Sequence, residues 1–366
     1  MFEFLDFGTL INGTICFILL VAASWCVGEG GEILGEKYDA SIIGGLLIAW
    51  LNTAPEAIFF INALRAGHPR FAVGAVSGSS IVVSTIALGA CIWIGASARK
   101  QGTIVLQPAI RRQCVILLAS CVIPLLITML GFNFMIGVLG VLFYLAFLLF
   151  SLTRGDEEED AALSKKLDDV EAGEDPDADP PHPHEFGHDG EPASLLYGCL
   201  LLAIGAVLIV LCSTPFIDAV VDVANKFHIN PVLLAFFLAP VASEMPEILE
   251  SISLSRRGIS QSINIAFSNL VGGTITKTSL LCSVFCFYGV YKDFKWESPS
   301  YTISLGFLIC SALMASCIGA FVSRPTKYHG LALFILFLFI SIVQYIINVV
   351  PPIDDLPPND LPAVHI

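Results

Sequence analysis

Ten apolar stretches alternate with short polar connections along the chain, at 9–27, 41–64, 71–95, 113–130, 132–152, 194–216, 229–254, 261–289, 301–322 and 331–350. Runs of this length with few charges can cross the hydrocarbon core of a bilayer as helices. The pattern therefore predicts an all-α polytopic membrane protein of about ten transmembrane helices. Two stretches are interrupted in the same way at their middles, by Pro55-Glu56 in the second and Pro246-Glu247 in the seventh, 191 residues apart. An ionised glutamate near the bilayer centre costs about 3 kcal/mol or more, and a proline there frees a backbone carbonyl that hydrocarbon cannot solvate. A chain that carries this cost twice, at matching positions, is expected to use it for a cation.

Composition agrees with the pattern. The chain of 366 residues is 55% hydrophobic and 14% charged, with a mean hydropathy of +0.80, which excludes an ordinary soluble domain. All 11 cysteines fall within the apolar stretches, where small polarizable packing residues are expected rather than a disulfide framework. Glu3 and Asp6 with no nearby Lys or Arg do not make the basic start of a cleaved signal peptide, so the first span is expected to be retained.

Between the fifth and sixth spans the composition changes abruptly. Residues 154–192 hold 15 of the 32 acidic residues and few large apolar ones, so this segment cannot bury a core and is expected to be largely disordered. The net charge of −14 describes this linker and not the membrane body; neither a nucleic-acid nor an acidic partner is implied. His182, His184 and His188 within it suit a solvated spacer: His184 and His188 stand four apart, but no cysteine accompanies them and the Pro-rich setting does not make the helix that would put both on one face. The expected organisation is a first five-helix half at 1–152, the linker at 153–193, a second five-helix half at 194–350 and a tail at 351–366.

The halves repeat. Adding 191 to the first-half numbers superposes span one on six, two on seven, three on eight and four on nine. Five spans per half force the second copy to enter the membrane from the opposite face, giving two inverted five-helix repeats, the architecture in which substrate sits at the midplane between repeats. Connections after odd-numbered spans hold twelve Lys and Arg, the other face five. By the positive-inside rule the acidic linker is cytosolic and both termini are extracellular or luminal; which membrane is involved stays open.

Leu51-Asn-Thr-Ala-Pro55-Glu56 and Ala242-Ser-Glu-Met-Pro246-Glu247, each followed by a small-residue run, Gly74-Ala-Val-Ser-Gly78-Ser-Ser80 and Ile265-Ala-Phe-Ser-Asn269-Leu-Val-Gly-Gly273, resemble the two α-repeats of the cation/calcium exchanger superfamily. The family pattern is approximately Gly-Thr-Ser-x-Pro-Glu, then Gly-Asn-x-x-Gly-Ser-Asn on the next helix. The repeats correspond to about 41–95 and 229–289. The resemblance implies ten helices, alternating access, and a divalent cation held between the two glutamates and exchanged for Na+ or H+.

The local chemistry fits. Ca2+ takes six to eight oxygen ligands, and Glu56 and Glu247 match its charge. Thr53 lies one turn before Glu56, while Asn52 and Ser243 stand four residues before their glutamates and face the same site if the segments stay helical. Pro55 and Pro246 free carbonyls that become further ligands. Ser77, Ser79, Ser80, Ser268 and Asn269 are neutral donors suited to a monovalent ion or a proton path, or equally small residues that pack helices. Gly74 and Gly78 form a GxxxG that allows close backbone approach.

Three departures from the family pattern bear on the coupling ion. Glu244 is an additional carboxylate three residues before Glu247. Lys277, four residues after Gly273 and on its face, needs a carboxylate partner, and Glu244 is the obvious one, leaving Glu247 for substrate; the alternative is that Lys277 snorkels to an interface. Ala75 and Ala266 replace the family's second-element asparagines, and Ala57 and Ile248 follow the glutamates where proton-coupled members carry histidine. A lysine beside Glu244 takes the space and field of a bound Na+, which leans the coupling towards protons.

The expected protein is a secondary antiporter and not an enzyme: Gly-x-Ser-x-Gly does not occur, and the one His-Glu-x-x-His match, His184 to His188, falls in the Pro-rich acidic linker and not on an apolar-periodic helix. Its partners are a divalent substrate, Ca2+ first, a coupling H+ or Na+, and membrane lipid, with no tightly bound cofactor and a modulatory role for the acidic linker. A passive divalent channel, or a Mg2+ or Mn2+ exchanger on the same scaffold, is the alternative.

Overall fold

The structure, a computed structural model, describes residues 7–37, 56–99, 101–151, 195–227, 229–296 and 299–349. Among them every regular element is helical, and one isolated antiparallel bridge joins Thr103 to Thr326. The first half holds α1 (Phe7–Lys37), α2 (56–65), α3 (Pro69–Val82) running through a π-helical turn, Val83–Ala87, into α4 (Leu88–Ala98), then α5 (Pro108–Ser120), α6 (Val122–Leu130) and α7 (Phe134–Ser151). The second holds α8 (Leu195–Lys226), α9 (Pro231–Ser243), α10 (Met245–Arg256), α11 (Ser260–Thr276) running through another π turn, Lys277–Leu281, into α12 (Cys282–Tyr291), then α13 (Ser300–Phe321) and α14 (Lys327–Val349).

Among the described residues eight helices are long and apolar enough to cross a membrane, or nine if the bent pair α9 and α10 counts as one span. The remaining expected span, 41–64, lies mostly outside the described residues, as does the acidic linker. Three boundaries move. The first helix runs on to Lys37 rather than ending at 27. The fourth span begins at Pro108 rather than 113, because Pro at a first helical position gives up no hydrogen bond and its fixed φ suits the helix. The sixth runs on to Lys226 rather than ending at 216, since α8 continues past its apolar stretch and carries Asp218 out to pair with His68 at 3.3 Å.

Burial is arranged from the centre outwards. The α3–α4 and α11–α12 spans are 72% and 83% buried, whereas α14 and α7 are 22% and 28% buried and turn residues such as Ile335, Leu338, Phe339 and Leu142 outwards. Polar groups lie inside instead: Ser79, Ser84, Thr85, Lys277, Thr278 and Ser283 are all buried. Apolar outside and polar within suits a hydrocarbon solvent. All 11 cysteines are free thiols.

α1 packs along α8 and α3 along α9, and glycine sets the second contact. A Cβ on Gly74 or Gly78 would collide with the backbone carbonyl of Val232 or Phe236, so these helices touch backbone to backbone. Pro240 has no N–H to offer the Phe236 carbonyl four residues earlier, and Gly78 packs against that carbonyl. Gly78→Leu should therefore lower the thermal midpoint of the detergent-solubilised protein by an amount equivalent to at least about 1–3 kcal/mol of overpacking. Gly306→Ala, whose Cβ would meet nothing within 4 Å, should leave the midpoint unchanged or raise it.

Candidate cation site

The break between α9 and α10 builds the site. Pro246 cannot donate to the Ala242 carbonyl one turn back, and the two helices meet at a 56° bend. Ser24 of α1 resolves the resulting orphan, its Oγ donating to Ala242 O at 2.8 Å. Glu244 stands at the bend with φ −101° and ψ −6°. Glu247 falls in the first turn of α10, where the amide dipoles favour an anion.

Four charged side chains meet in the apolar interior. Glu244, Glu56, Glu247 and Lys277 are 2%, 4%, 7% and 1% exposed. Lys277 Nζ donates to Glu244 Oε2 at 2.7 Å and lies 3.3 Å from Glu56 Oε2. The other Glu244 oxygen, Oε1, accepts from Ser79 Oγ at 2.6 Å and from Ser243 Oγ at 3.0 Å. Glu244 is thus met by three donors. Glu247 lies within electrostatic reach of Glu244, Lys277 and Glu56, and its Oε2 would be 3.7 Å from a Cβ on Gly273. Gly273 and Lys277, one turn apart, present the same face to the site. Neither Glu56 Oε1 nor Glu247 Oε2 has a hydrogen-bond donor among the described residues, and Ser80 Oγ is likewise buried without one.

Several placements differ from expectation. Lys277, expected to pair with Glu244, takes a second carboxylate as well, Glu56 at 3.3 Å, and so is held inside instead of snorkelling. Ser243 bonds Glu244 and the Ala239 carbonyl, because the bend after Ser243 interrupts the helical register that would have set it over Glu247. The carbonyl freed by Pro246 is occupied by Ser24 and not left open to a ligand. Ser77 turns back to the Val73 carbonyl at 2.7 Å, as a hydroxyl within a helix commonly does. Ser268 pairs with Gln113 of α5, donating to Oε1 at 2.7 Å and accepting at its carbonyl from Nε2 at 3.1 Å. Asn269 is half-buried. Asn52, Thr53 and Pro55 lie outside the described residues. Ser24 and Gln113 were missed; Gln113, a lone amide at the edge of an apolar stretch, offered the only signal.

Among the described residues no three His, Cys, Asp or Glu side chains converge as a ready metal centre. The arrangement instead offers two carboxylates with oxygens that the described residues leave without donors, a neutral hydroxyl at Ser80, and a satisfied Glu244–Lys277 pair beside them. That donor set suits a hard cation bound by oxygen.

A helical body with buried charge at its centre and hydrocarbon-facing side chains around it defines an integral membrane transporter. The sodium/calcium exchanger protein family matches residues 8–153 and 197–346, and the chain belongs to that family, one of transporters rather than enzymes. It is 25% identical over 151 residues to the sodium/calcium exchanger NCL2 of Oryza sativa subsp. japonica, a match covering 41% of this chain and 25% of the rice protein. It is 21% identical over 282 residues to an uncharacterized membrane protein of Methanocaldococcus jannaschii, covering 75% of this chain and 82% of that protein. Among solved structures it resembles the H+/Ca2+ exchanger CAX, with a TM-score of 0.71 and 16% identity over 93% of this chain and 85% of that one. It also resembles the sodium-calcium exchanger NCX_Mj, with a TM-score of 0.58 and 16% identity over 92% and 98%. At these identities the two structures establish the fold. The match spans a quarter of the length of the rice protein.

The charge cluster sets a stability test. Lys277→Met leaves three carboxylates buried together and should cost about 3–5 kcal/mol, the range for breaking a buried pair. Adding Glu244→Gln, which keeps the bonds to Ser79 and Ser243, should recover most of that loss, read as thermal midpoints in detergent. Additive losses in the double variant would show that Lys277 and Glu244 are not energetically paired.

Proposed function

We propose that the protein is a secondary antiporter that binds a divalent cation, Ca2+ first, between Glu56 and Glu247 and exchanges it for protons by alternating access. The observation that carries this reading is the pair of buried carboxylate oxygens that accept no hydrogen bond from the described residues, Glu56 Oε1 and Glu247 Oε2, beside a fourth charge that cancels one of the three carboxylates. Three glutamates less one lysine leave two negative charges, the number one divalent neutralises in low dielectric. Ser80, Thr53 and Asn52 are the neutral ligands proposed to complete its shell. Burial of every charged member, together with a helix broken at the site, favours alternating access over a continuous pore.

Exchange for protons is supported by Lys277, which already fills with positive charge the field that Na+ would need. The inverted repeats and a cytosolic linker belong to the same reading. So does the relation to fold neighbours named for H+/Ca2+ and sodium-calcium exchange.

Proteoliposomes with separately imposed pH and Na+ gradients test the proposal. Divalent uptake should follow the pH gradient and ignore Na+, and Glu56→Gln or Glu247→Gln should each reduce it to background while the protein still inserts. Normal flux in both variants would remove the claim; uptake that requires Na+ and ignores pH would return the chain to sodium coupling. The linker is assigned a modulatory role. Deleting 156–191 and joining the ends with a flexible spacer should leave transport intact, and complete loss in a correctly inserted variant would make the linker part of the machinery.

A further inference from the structure

Lys277 touches two carboxylates on unequal terms. Its contact with Glu244 is a hydrogen bond of 2.7 Å, and Glu244 is locked by Ser79 and Ser243 as well. Its contact with Glu56 is longer, 3.3 Å, and neither Glu56 oxygen accepts a well-aligned hydrogen bond from the described residues. The charged groups that face the ammonium are Glu244, Glu56 and Glu247, so Lys277 supplies the protein's own positive charge to the carboxylates that a transported cation must use.

We infer that Lys277 is the specificity-determining residue of this site: a tethered monovalent cation seated on Glu56, which a divalent displaces towards Glu244 and which Na+ or K+ cannot displace. This rests on the divalent site proposed above. An alkali ion arriving at Glu56 brings the same single charge that the ammonium already supplies, and it must shed its water to do so. It competes, moreover, with a group whose attachment to the chain gives it an effective concentration far above that of any solute. A divalent loses more in shedding its water, but it brings twice the charge to each of Glu56 and Glu247, about four times the Coulombic gain of a monovalent ion on Glu56 alone at equal distance. Displacement strands nothing, because the ammonium keeps its shorter bond to Glu244. The Glu244–Lys277 pair then stays neutral and remains with the protein when the substrate leaves.

The test is equilibrium binding of radiolabelled Ca2+ to the purified full-length protein, with NaCl exchanged for choline chloride at constant ionic strength. The native chain and Lys277→Arg should show an apparent Kd that does not respond to Na+. The double variant Glu244→Gln/Lys277→Met keeps the net charge of the site without the tethered cation. It should bind Ca2+ about tenfold more tightly or better in choline, and Na+ should weaken that binding several-fold. Identical Na+ responses in the native chain and the double variant would overturn the role of Lys277 while leaving the divalent site standing. Absence of Ca2+ binding by the native chain would overturn the divalent site and this inference with it.

Discussion

The hydrogen bond between Lys277 and Glu244 is the contact on which the rest of the site depends. Three carboxylates cannot be buried side by side in a body surrounded by hydrocarbon unless part of their charge is cancelled. Lys277 cancels one, 2.7 Å from Glu244, and leaves Glu56 and Glu247 with oxygens that accept no hydrogen bond from the described residues. The hydroxyls of Ser79 and Ser243 complete Glu244. Glu244 is thereby held by the protein itself, and the proposed function draws on the other two carboxylates.

Helix continuity is given up to place these groups. Pro246 bends the seventh span by 56° beside Glu244, and the carbonyl it orphans is taken by Ser24 from a different helix. Lys277 opens a π turn, and Val83–Ala87 forms another between α3 and α4; such turns recur at functional positions. Tight packing of the neighbours offsets these defects. Gly74 and Gly78 bring α3 against the backbone of α9, and Phe59 of α2, Phe71 and Phe216 form an aromatic cluster of edge-to-face and tilted contacts. The broken segment is held between well-packed elements.

Much of this was legible in the sequence, for reasons that differ residue by residue. The membrane class followed from run length, because hydrocarbon imposes one requirement on every span. The Pro-Glu pairs stood out because each combines two costs that a lipid-facing helix avoids. The face shared by Gly273 and Lys277 followed from helical spacing, which holds up to the start of the π turn. Ser243 was misplaced by the same spacing rule, since the bend intervenes between it and Glu247. Ser24 and Gln113 bond across the fold to Ala242 and Ser268, and no local pattern encodes a contact between residues more than a hundred positions apart. Lys277 was paired correctly by charge with Glu244, but its second partner, Glu56, depends on how the two halves of the chain meet.

The most direct measurement is an experimental structure with a bound anomalous scatterer such as Sr2+, the heavier congener of Ca2+. The account predicts one cation per chain in direct contact with the carboxylates of both Glu56 and Glu247, and Lys277 bonded to Glu244 alone. A cation bound elsewhere in the membrane body, or Lys277 still seated on Glu56 beside it, would contradict the account.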